Sequence, residues 1–327
     1  MIKVGIIGAG RIAGIMAKTL REMDMVSCHA VAARDYDRAN EFAKTYGFCK
    51  AYGSYAELVQ DEEVQLVYIA TPHSHHYEHI KLCLNHGKHV LCEKSFTINE
   101  GQAREVLELA KAKGLLLTEA IWTRYMPMRK TLDEVLESGV IGRPHMLTAN
   151  LGYLISGKER IMKPELAGGA LLDVGIYPLN FAAMAFGTDV KSIVGTAVLT
   201  ELGVDAQNSM TLVYEDGRMA VLNSSAMGLS DRRGVIYGDK GFVEVENINN
   251  CEGIRVYDVN RNLVAAYETP KQISGYEYEV EACVRAIENG DLECPEMPHE
   301  ETLRMMRWMD ELRRQWGMVY PMERVRN

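Results

Sequence analysis

The feature that most constrains the fold of this chain is the order of patterns in its first forty residues. Residues 2–7 form a short, apolar, β-branched run, which is typical of a buried parallel strand. A glycine-rich turn follows at 8–10, and apolar residues then recur at helical spacing between 12 and 20. A second short strand is predicted over 26–32. Strand, glycine turn, helix and strand in this order predict the start of a doubly wound α/β sheet.

The glycine turn has the residue types of a dinucleotide fingerprint. Gly8 permits a tight turn, Gly10 lets a pyrophosphate approach the backbone, and Ala13 permits close packing of helix on strand. The helix begins with Arg11 and Ile12, and its first N–H groups are free to bind phosphate. Because a strand precedes the turn and a helix follows it, the pattern favours a bound dinucleotide over a plain glycine turn.

The end of the second predicted strand indicates which dinucleotide binds. NAD sites usually place an acid about twenty residues beyond the glycine turn, where it accepts from the ribose 2′-OH. Here Ala33 removes the acid, Arg34 follows, and Arg38 lies one helical turn further on. A guanidinium suits a 2′-phosphate, which an acid would repel. The sequence predicts NADP(H). NAD(H) is the alternative if both arginines are solvated surface charges and Asp35 binds the ribose.

Composition excludes several classes of protein. The formal charge of −9 argues against nucleic acid or an anionic membrane as the main partner. The seven cysteines show no CxxC spacing, so a reducing, cytoplasmic location is expected. No charged leader precedes the first strand, and no apolar run approaches the roughly eighteen residues of a membrane span.

The pattern changes along the chain, and the change predicts two domains. Strands and helices alternate over 1–120, which predicts a Rossmann domain with a parallel sheet. Residues 121–327 contain long strands with hairpin signals at 215–218 and 238–241, which predict an α+β domain with a large, mostly antiparallel sheet. The terminal helix over 300–316 is a candidate to pack back on the first domain. The broad sheet is expected to bind substrate and to build a homodimer or a higher even oligomer.

Residues at three predicted strand ends are candidates for ligand binding. Ligands of open α/β sheets bind beyond the carboxyl ends of the strands. The candidates to contact the cofactor there are Thr71, Pro72, His73, His76, Glu93, Lys94, Trp122 and Arg124. In the second domain, Asp173 and Tyr177 are four residues apart on one helix face. Taken alone, Lys94 is better interpreted as part of a surface ion pair, and Asp173 with Tyr177 as a subunit contact. Trp122 has an ordinary core aromatic as its alternative.

The histidine-rich segment 73–79 invites a metal interpretation. His75 and His79 are spaced as an i, i+4 pair. Because no carboxylate or cysteine in the segment completes a convincing ligand set, no metal site is predicted.

Several segments together resemble the Gfo/Idh/MocA oxidoreductase family. They are the GAGRIA turn, TPHSHH at 71–76, VLCEKS at 90–95 and GGALLDVGIYPLN at 168–180. Within the family the chain is most similar to the dihydrodiol dehydrogenase and NADP-dependent D-xylose dehydrogenase subgroup. This narrower likeness rests on AARD at 32–35, EAIWTRYMP at 119–127 and the LLDVGIYPL helix.

The resemblance implies roles for four residues. It places Lys94 between nicotinamide and substrate, Glu93 at the nicotinamide ribose, and Asp173 with Tyr177 in the catalytic site. Ser95 departs from the family, which usually has proline there. Chemically, removing an alcohol proton while a hydride leaves requires a base, and a nearby cation such as Lys94 makes a tyrosine a better one. We expect Lys94 and Tyr177 to reach one substrate oxygen, although nothing local in the sequence forces them together.

The expected function is an NADP-dependent dehydrogenase acting on a cyclic diol or a sugar-like substrate. One alternative is an NAD-dependent inositol or amino-sugar oxidoreductase. The other is a regulator that senses a dinucleotide without catalysis, against which the set Lys94, Asp173 and Tyr177 argues.

Overall fold

A computed structural model of the chain describes residues 1–326 and divides into two compact units. The first unit contains residues 1–125 and 272–306. The second contains residues 126–271 and the chain from 307 onward. Both units are therefore discontinuous in sequence, and residues 272–306 return to the first.

The first unit is built on a six-stranded parallel sheet with the order β3-β2-β1-β4-β5-β6. The strands are β1 Ile2–Ile7, β2 Val26–Ala32, β3 Lys50–Tyr52, β4 Leu66–Ile69, β5 His89–Glu93 and β6 Leu117–Ala120. The helices that follow them are α1 Arg11–Arg21, α2 Tyr36–Tyr46, α3 Tyr55–Gln60, α4 His73–Asn85 and α5 Glu100–Lys113. The predicted Rossmann sheet is confirmed.

Local signals fix most of these helix ends. The Asn99 side chain accepts a 2.9 Å hydrogen bond from the backbone N–H of Gln102, and Gly114 ends α5 in the left-handed conformation. The apolar pattern of the sequence predicts a helix from Tyr77 to His86, and in the structure this helix begins four residues earlier, at His73. Pro72 precedes it in an extended conformation, so the chain turns into the helix directly. Polar histidines in the first turn hid that start from the apolar pattern.

The second unit is built on an eight-stranded sheet with the order β14-β13-β12-β11-β7-β10-β9-β8. Its strands are β7 Pro144–Gly152, β8 Val190–Leu199, β9 Asp205–Tyr214, β10 Met219–Ser225, β11 Gly234–Gly238, β12 Gly241–Val245, β13 Gly253–Asp258 and β14 Leu263–Glu268. The α-helices that follow β6 along the chain are α6 Pro127–Glu137, α7 Glu159–Met162, α8 Ile176–Phe186, α9 Glu277–Asn289 and α10 His299–Gln315. All strand pairs are antiparallel except β7 with β10, so the prediction of a mostly antiparallel sheet is confirmed.

One face of this sheet is covered within the unit and the other carries an apolar row. Buried residues such as Leu147 and Leu222 alternate with outward ones. The strand register aligns five outward side chains across five neighbouring strands. We call them the open row: Met219, Met146, Tyr237, Phe242 and Tyr257. The rings of Phe242 and Tyr257 stack with centroids 4.7 Å apart.

A long apolar helical segment, Pro164–Phe186, precedes the sheet strands from β8 onward. By length and composition it would be long enough to cross a membrane, a property that the sequence pattern did not indicate. In the structure 89% of its most apolar window is buried, as expected of a core helix.

Candidate cofactor site and candidate catalytic residues

The glycine turn of the first unit has the geometry that a pyrophosphate requires. Gly8 has φ +99°, and a Cβ built on it would lie 2.8 Å from the carbonyl oxygen of Ala70 at the end of β4. A Cβ built on Gly10 would meet no described atom within 4 Å. Gly10 is also the N-cap of α1, where no described side chain caps the helix. The backbone N–H groups of this turn therefore fit a bound phosphate.

Arg38 is hydrogen-bonded to the glycine turn, and Asp35 is hydrogen-bonded to the backbone of Arg38. The Arg38 guanidinium donates to the carbonyl oxygen of Ala9 at 2.9 Å. The Asp35 side chain caps α2 by accepting from the backbone N–H of Arg38 at 3.1 Å. Arg34 is exposed at the end of β2. Asp35 thus has a structural role as a cap, whereas Arg34 has the freedom to meet an anionic ligand.

His76 connects two of the predicted ligand-binding loops. Its ring is fully buried, with Nε2 2.8 Å from the carbonyl oxygen of Thr71 and Nδ1 2.9 Å from that of Ser95. Burial lowers the pKa of His76 to about 4, so the ring is neutral at neutral pH. Contact of His73 and His76 with the cofactor stays a prediction. What the structure shows is a link between the loop after β4 and the loop after β5.

The paired histidines His75 and His79 belong to a partly buried ring cluster. The Nδ1 atom of His79 lies 3.0 Å from the hydroxyl of Thr71, and its ring meets that of Tyr55 edge-on at 4.7 Å. Burial lowers the pKa of His79 to about 4. These contacts account for His79 without a metal.

A group with metal-ligand composition lies elsewhere in the described residues. His29, Asp61 and Glu63 place one ligand atom each within 4.8 Å of one another. The Lys50 ammonium already bonds both carboxylates, 3.1 Å from Asp61 and 2.9 Å from Glu63. Because a fixed positive charge stands among these ligands, we assign the group as an ion-pair cluster.

Lys94 directly follows β5, on a segment held by buried groups. Glu93, the last residue of β5, accepts a hydrogen bond from the Tyr68 hydroxyl and a 3.2 Å bond from the Lys94 backbone N–H. The Lys94–Ser95 peptide bond is cis. Ser95 and Phe96 are both fully buried. The backbone around Lys94 is therefore fixed by its neighbours.

Trp122 and Arg124 have partners in the returning segment of the first unit. The Trp122 ring stacks on that of Tyr276, with centroids 4.2 Å apart and planes inclined by 12°. The Arg124 guanidinium donates to Glu301 at 2.8 Å. Tyr276, which the sequence assigned to the second domain, belongs to the first compact unit. The sequence signal for this return was limited to two terminal helical patterns.

In the second unit, Asp173 and Tyr177 lie on one continuous helical segment. Residues Leu171–Gly175 form a π-helical turn that runs directly into α8, and π-turns occur frequently at functional sites. Both side chains are buried, and Asp173 accepts a 2.5 Å hydrogen bond from Arg160 of α7. The sequence analysis did not identify Arg160, because a four-residue helix leaves almost no pattern.

Asp205 is a second residue that was not identified in the sequence, and it holds the start of the helical segment that carries Asp173 and Tyr177. Asp205, at the start of β9, accepts from the backbone N–H of Leu171 at 2.8 Å and from the Asn208 amide at 2.7 Å. A Cβ on Gly169 would lie 2.2 Å from Asp205 Oδ1, and Gly169 has φ +115°. Glycine is therefore required there on both counts. Burial raises the pKa of Asp205 to about 7.

The class of protein follows from the parallel sheet and from the glycine turn at 8–10, which fits a phosphate. Together with the candidate catalytic residues Lys94, Asp173 and Tyr177, these features are typical of a dinucleotide-binding oxidoreductase. A family model described as "Oxidoreductase family, NAD-binding Rossmann fold" (GFO/IDH/MocA) matches residues 2–121. A model of the GFO/IDH/MocA C-terminal domain matches residues 130–244. The chain belongs to the GFO/IDH/MocA oxidoreductase family, as the sequence motifs indicated.

Full-length relatives agree with this assignment. The chain is 33% identical to trans-1,2-dihydrobenzene-1,2-diol dehydrogenase of Xenopus tropicalis, covering 98% of this chain and 99% of that protein. The human protein of the same name is 32% identical over 99% of this chain and 98% of its own length. A solved 3-ketoreductase from Actinomadura kijaniata, in complex with NADP and TDP-benzene, superposes with a TM-score of 0.88 at 25% identity. It covers 96% of this chain and 98% of its own. The chain is an NAD(P)-dependent oxidoreductase.

Proposed function

We propose that this enzyme is an NADP-preferring dehydrogenase that oxidises a CH–OH group of a cyclic diol or of a sugar-like substrate. The observation that carries the proposal is the presence of Lys94, Asp173 and Tyr177 in a chain that matches the dihydrodiol dehydrogenases over nearly their full length. The fixed backbone at Lys94 and the hydrogen bond from exposed Arg160 to buried Asp173 support catalytic roles for these residues.

The cofactor preference rests on charge at the end of β2. Arg34 is exposed, no acid stands at residue 33, and the nearest acid, Asp35, is committed to capping α2. Arg38 adds a second positive charge beside the glycine turn. A 2′-phosphate would therefore meet two guanidinium groups, whereas a ribose 2′-OH would lack its usual carboxylate acceptor.

The chemistry divides between the bound nicotinamide and the side chains. The nicotinamide ring, when bound, accepts or returns the hydride. Tyr177 takes the hydroxyl proton, and the Lys94 ammonium favours the tyrosinate by its charge. Asp173 holds a substrate hydroxyl or a cation in place, and the Arg160 guanidinium donates to its carboxylate.

Two further candidates remain for the experiment to separate. An NAD-dependent inositol or amino-sugar oxidoreductase would use the same residues with another substrate. A dinucleotide sensor would bind the cofactor and catalyse nothing, which gives no reason for Lys94, Asp173 and Tyr177 to be kept together.

The test is cofactor reduction followed by absorbance over a panel of substrates. NADP+ or NAD+ is mixed with trans-dihydrodiols, D-xylose, D-glucose and myo-inositol, and NADPH or NADH formation is recorded. We expect turnover with NADP+ and a diol or a pentose. Tyr177→Phe is the matched control for background reduction. Binding of NADPH without turnover on any substrate would favour the sensor and defeat this proposal.

We also propose that the protein is a homodimer or a higher even oligomer in the cytoplasm. The open row supports association through the second sheet, because five apolar side chains lie side by side on an outward face. Light scattering at micromolar protein should give at least a dimeric mass. Phe242→Arg should shift the mass toward the monomer, whereas Leu154→Arg, at an exposed site outside the sheet, should not. A monomeric unmodified protein would refute this assembly.

The free cysteines, among them exposed Cys49, support a reducing location such as the cytoplasm, which fractionation of cells can test.

A further inference from the structure

Glu119 is a buried carboxyl group at the end of β6 that the proposed reaction does not use. Its side chain is fully buried. Oε1 accepts a 3.1 Å hydrogen bond from the backbone N–H of Phe96, and Oε2 accepts one of 3.1 Å from the Thr302 hydroxyl of α10. Burying a carboxyl group carries an energetic cost, so a position that keeps one in the core is a candidate for function.

The backbone that Glu119 binds is the segment carrying Lys94. Phe96 is two residues beyond Lys94, and the residue between them, Ser95, places its carbonyl oxygen against the His76 ring. The segment is thus fixed at consecutive residues, by His76 at the Ser95 carbonyl and by Glu119 at the Phe96 N–H. Loss of either contact frees the backbone that sets the position of Lys94.

The charge of Glu119 is sensitive to pH in the neutral range. Burial raises its pKa to about 7. The bonds from Thr302 and Phe96 and the positive charge of Arg124 oppose this rise, while Glu93 at the end of β5 adds to it. Arg124 is itself paired with Glu301 of α10. An ionised Glu119 accepts both hydrogen bonds, and a bond to a carboxylate is stronger than a bond to a neutral carboxyl.

We propose that Glu119 is a positioning residue for Lys94. Glu119 holds the 94–96 segment through its hydrogen bond from the Phe96 N–H, and it holds this segment more tightly when its carboxyl group is ionised. The inference rests on the proposed catalytic role of Lys94. Neutral Glu119 still accepts from Phe96 through one oxygen, so the segment loosens at low pH without being released.

The experiment compares three variants by kinetics and by amide hydrogen exchange. Glu119→Gln keeps an acceptor for Phe96 and a partner for Thr302 but cannot ionise. Glu119→Ala removes the acceptor. Thr302→Val removes the other hydrogen bond of the same carboxyl group and leaves the Phe96 contact in place.

We expect kcat of the unmodified enzyme to rise through a step near pH 7 that is missing in Glu119→Gln. Glu119→Ala should lower kcat about tenfold or more through misplacement of Lys94, with NADPH affinity, measured by fluorescence, nearly unchanged. It should also speed amide exchange across 94–97. Thr302→Val should keep the pH step and leave amide exchange at 94–97 close to that of the unmodified enzyme.

Two results would overturn the inference: a Glu119→Gln profile that retains the step near pH 7, or unchanged exchange at 94–97 in Glu119→Ala. Glu119→Gln, which preserves the volume of the core, guards against a variant that merely unfolds. Absence of turnover in the unmodified enzyme would instead defeat the proposed function. The exchange measurement needs no activity, so the two failures are distinguishable.

Discussion

The candidate catalytic residues of the two units stand on different supports. Lys94 follows a parallel strand directly, at the sheet edge where ligands of this fold bind. Asp173 and Tyr177 lie on a buried helical segment beside an antiparallel sheet, for which no comparable rule exists. Both segments are nevertheless held by a buried carboxyl group that accepts from a backbone N–H, Glu119 at Phe96 and Asp205 at Leu171. The position of the candidate residue therefore follows from the fold in the first unit, whereas in the second unit only the residue pattern reveals it.

The largest effects are expected when one candidate catalytic residue is removed from each unit. Tyr177→Phe should lower turnover by roughly two orders of magnitude or more, because the hydroxyl that moves the proton is lost. Its NADPH affinity should be nearly unchanged. Lys94→Ala should lower turnover similarly and also disturb the nicotinamide end of the site. Steady-state kinetics with cofactor binding by fluorescence separates the effects. A fully active Tyr177→Phe enzyme would show that Tyr177 is not the group that moves the proton.

A smaller effect concerns cofactor choice, which we place entirely in the first unit. Arg34→Ala should reduce the preference for NADPH over NADH by about 1–3 kcal/mol, as loss of a charge-assisted phosphate contact would. Arg38→Ala is the matched comparison. It should weaken both cofactors, because it also removes the hydrogen bond to Ala9 in the glycine turn. Titration calorimetry with both dinucleotides measures this. Equal affinities in the unmodified protein would contradict the NADP assignment.

The smallest expected effect is on the free energy of unfolding, which should depend on pH through both buried acids, Glu119 and Asp205. Burial raises the pKa of Glu119 from 4.5 and of Asp205 from 3.8, each to about 7. At a pH between the ordinary pKa of each group and about 7, the folded state binds more protons than the unfolded state. The free energy of unfolding therefore falls as the pH rises toward 7. Each group should contribute a loss of about 2 kcal/mol between pH 5 and pH 8.

Urea unfolding at a series of pH values tests this expectation. Glu119→Gln and Asp205→Asn should each flatten the pH dependence, because neither variant can ionise. If both variants keep the full slope, the two acids are not the source of the pH dependence.

Parts of both units could be predicted because their signals are local. The glycine turn, the Asn99 cap and the Gly217 hairpin turn are each set by a few adjacent residues. The parallel pairing of β7 with β10 and the return of residues 272–306 to the first unit depend on distant segments. No neighbouring residue encodes them.

The candidate site divides in the same way. Motif residues such as Lys94 and Tyr177 were recognisable in the sequence, and the structure shows which segment carries each of them. Glu119, Asp205 and Arg160 were not found, since a buried acid or an ion-pair partner looks like any other charged residue until its neighbours are known.

The His76 ring has a consequence for how the two loops can move. A neutral imidazole carries one N–H, yet both of its nitrogen atoms face carbonyl oxygens, those of Thr71 and Ser95. At any instant only one loop is bonded, while the other faces a lone pair. Transfer of the proton from one nitrogen to the other would exchange which loop is held. The tautomer therefore decides whether the ring donates to the loop after β4 or to the loop after β5.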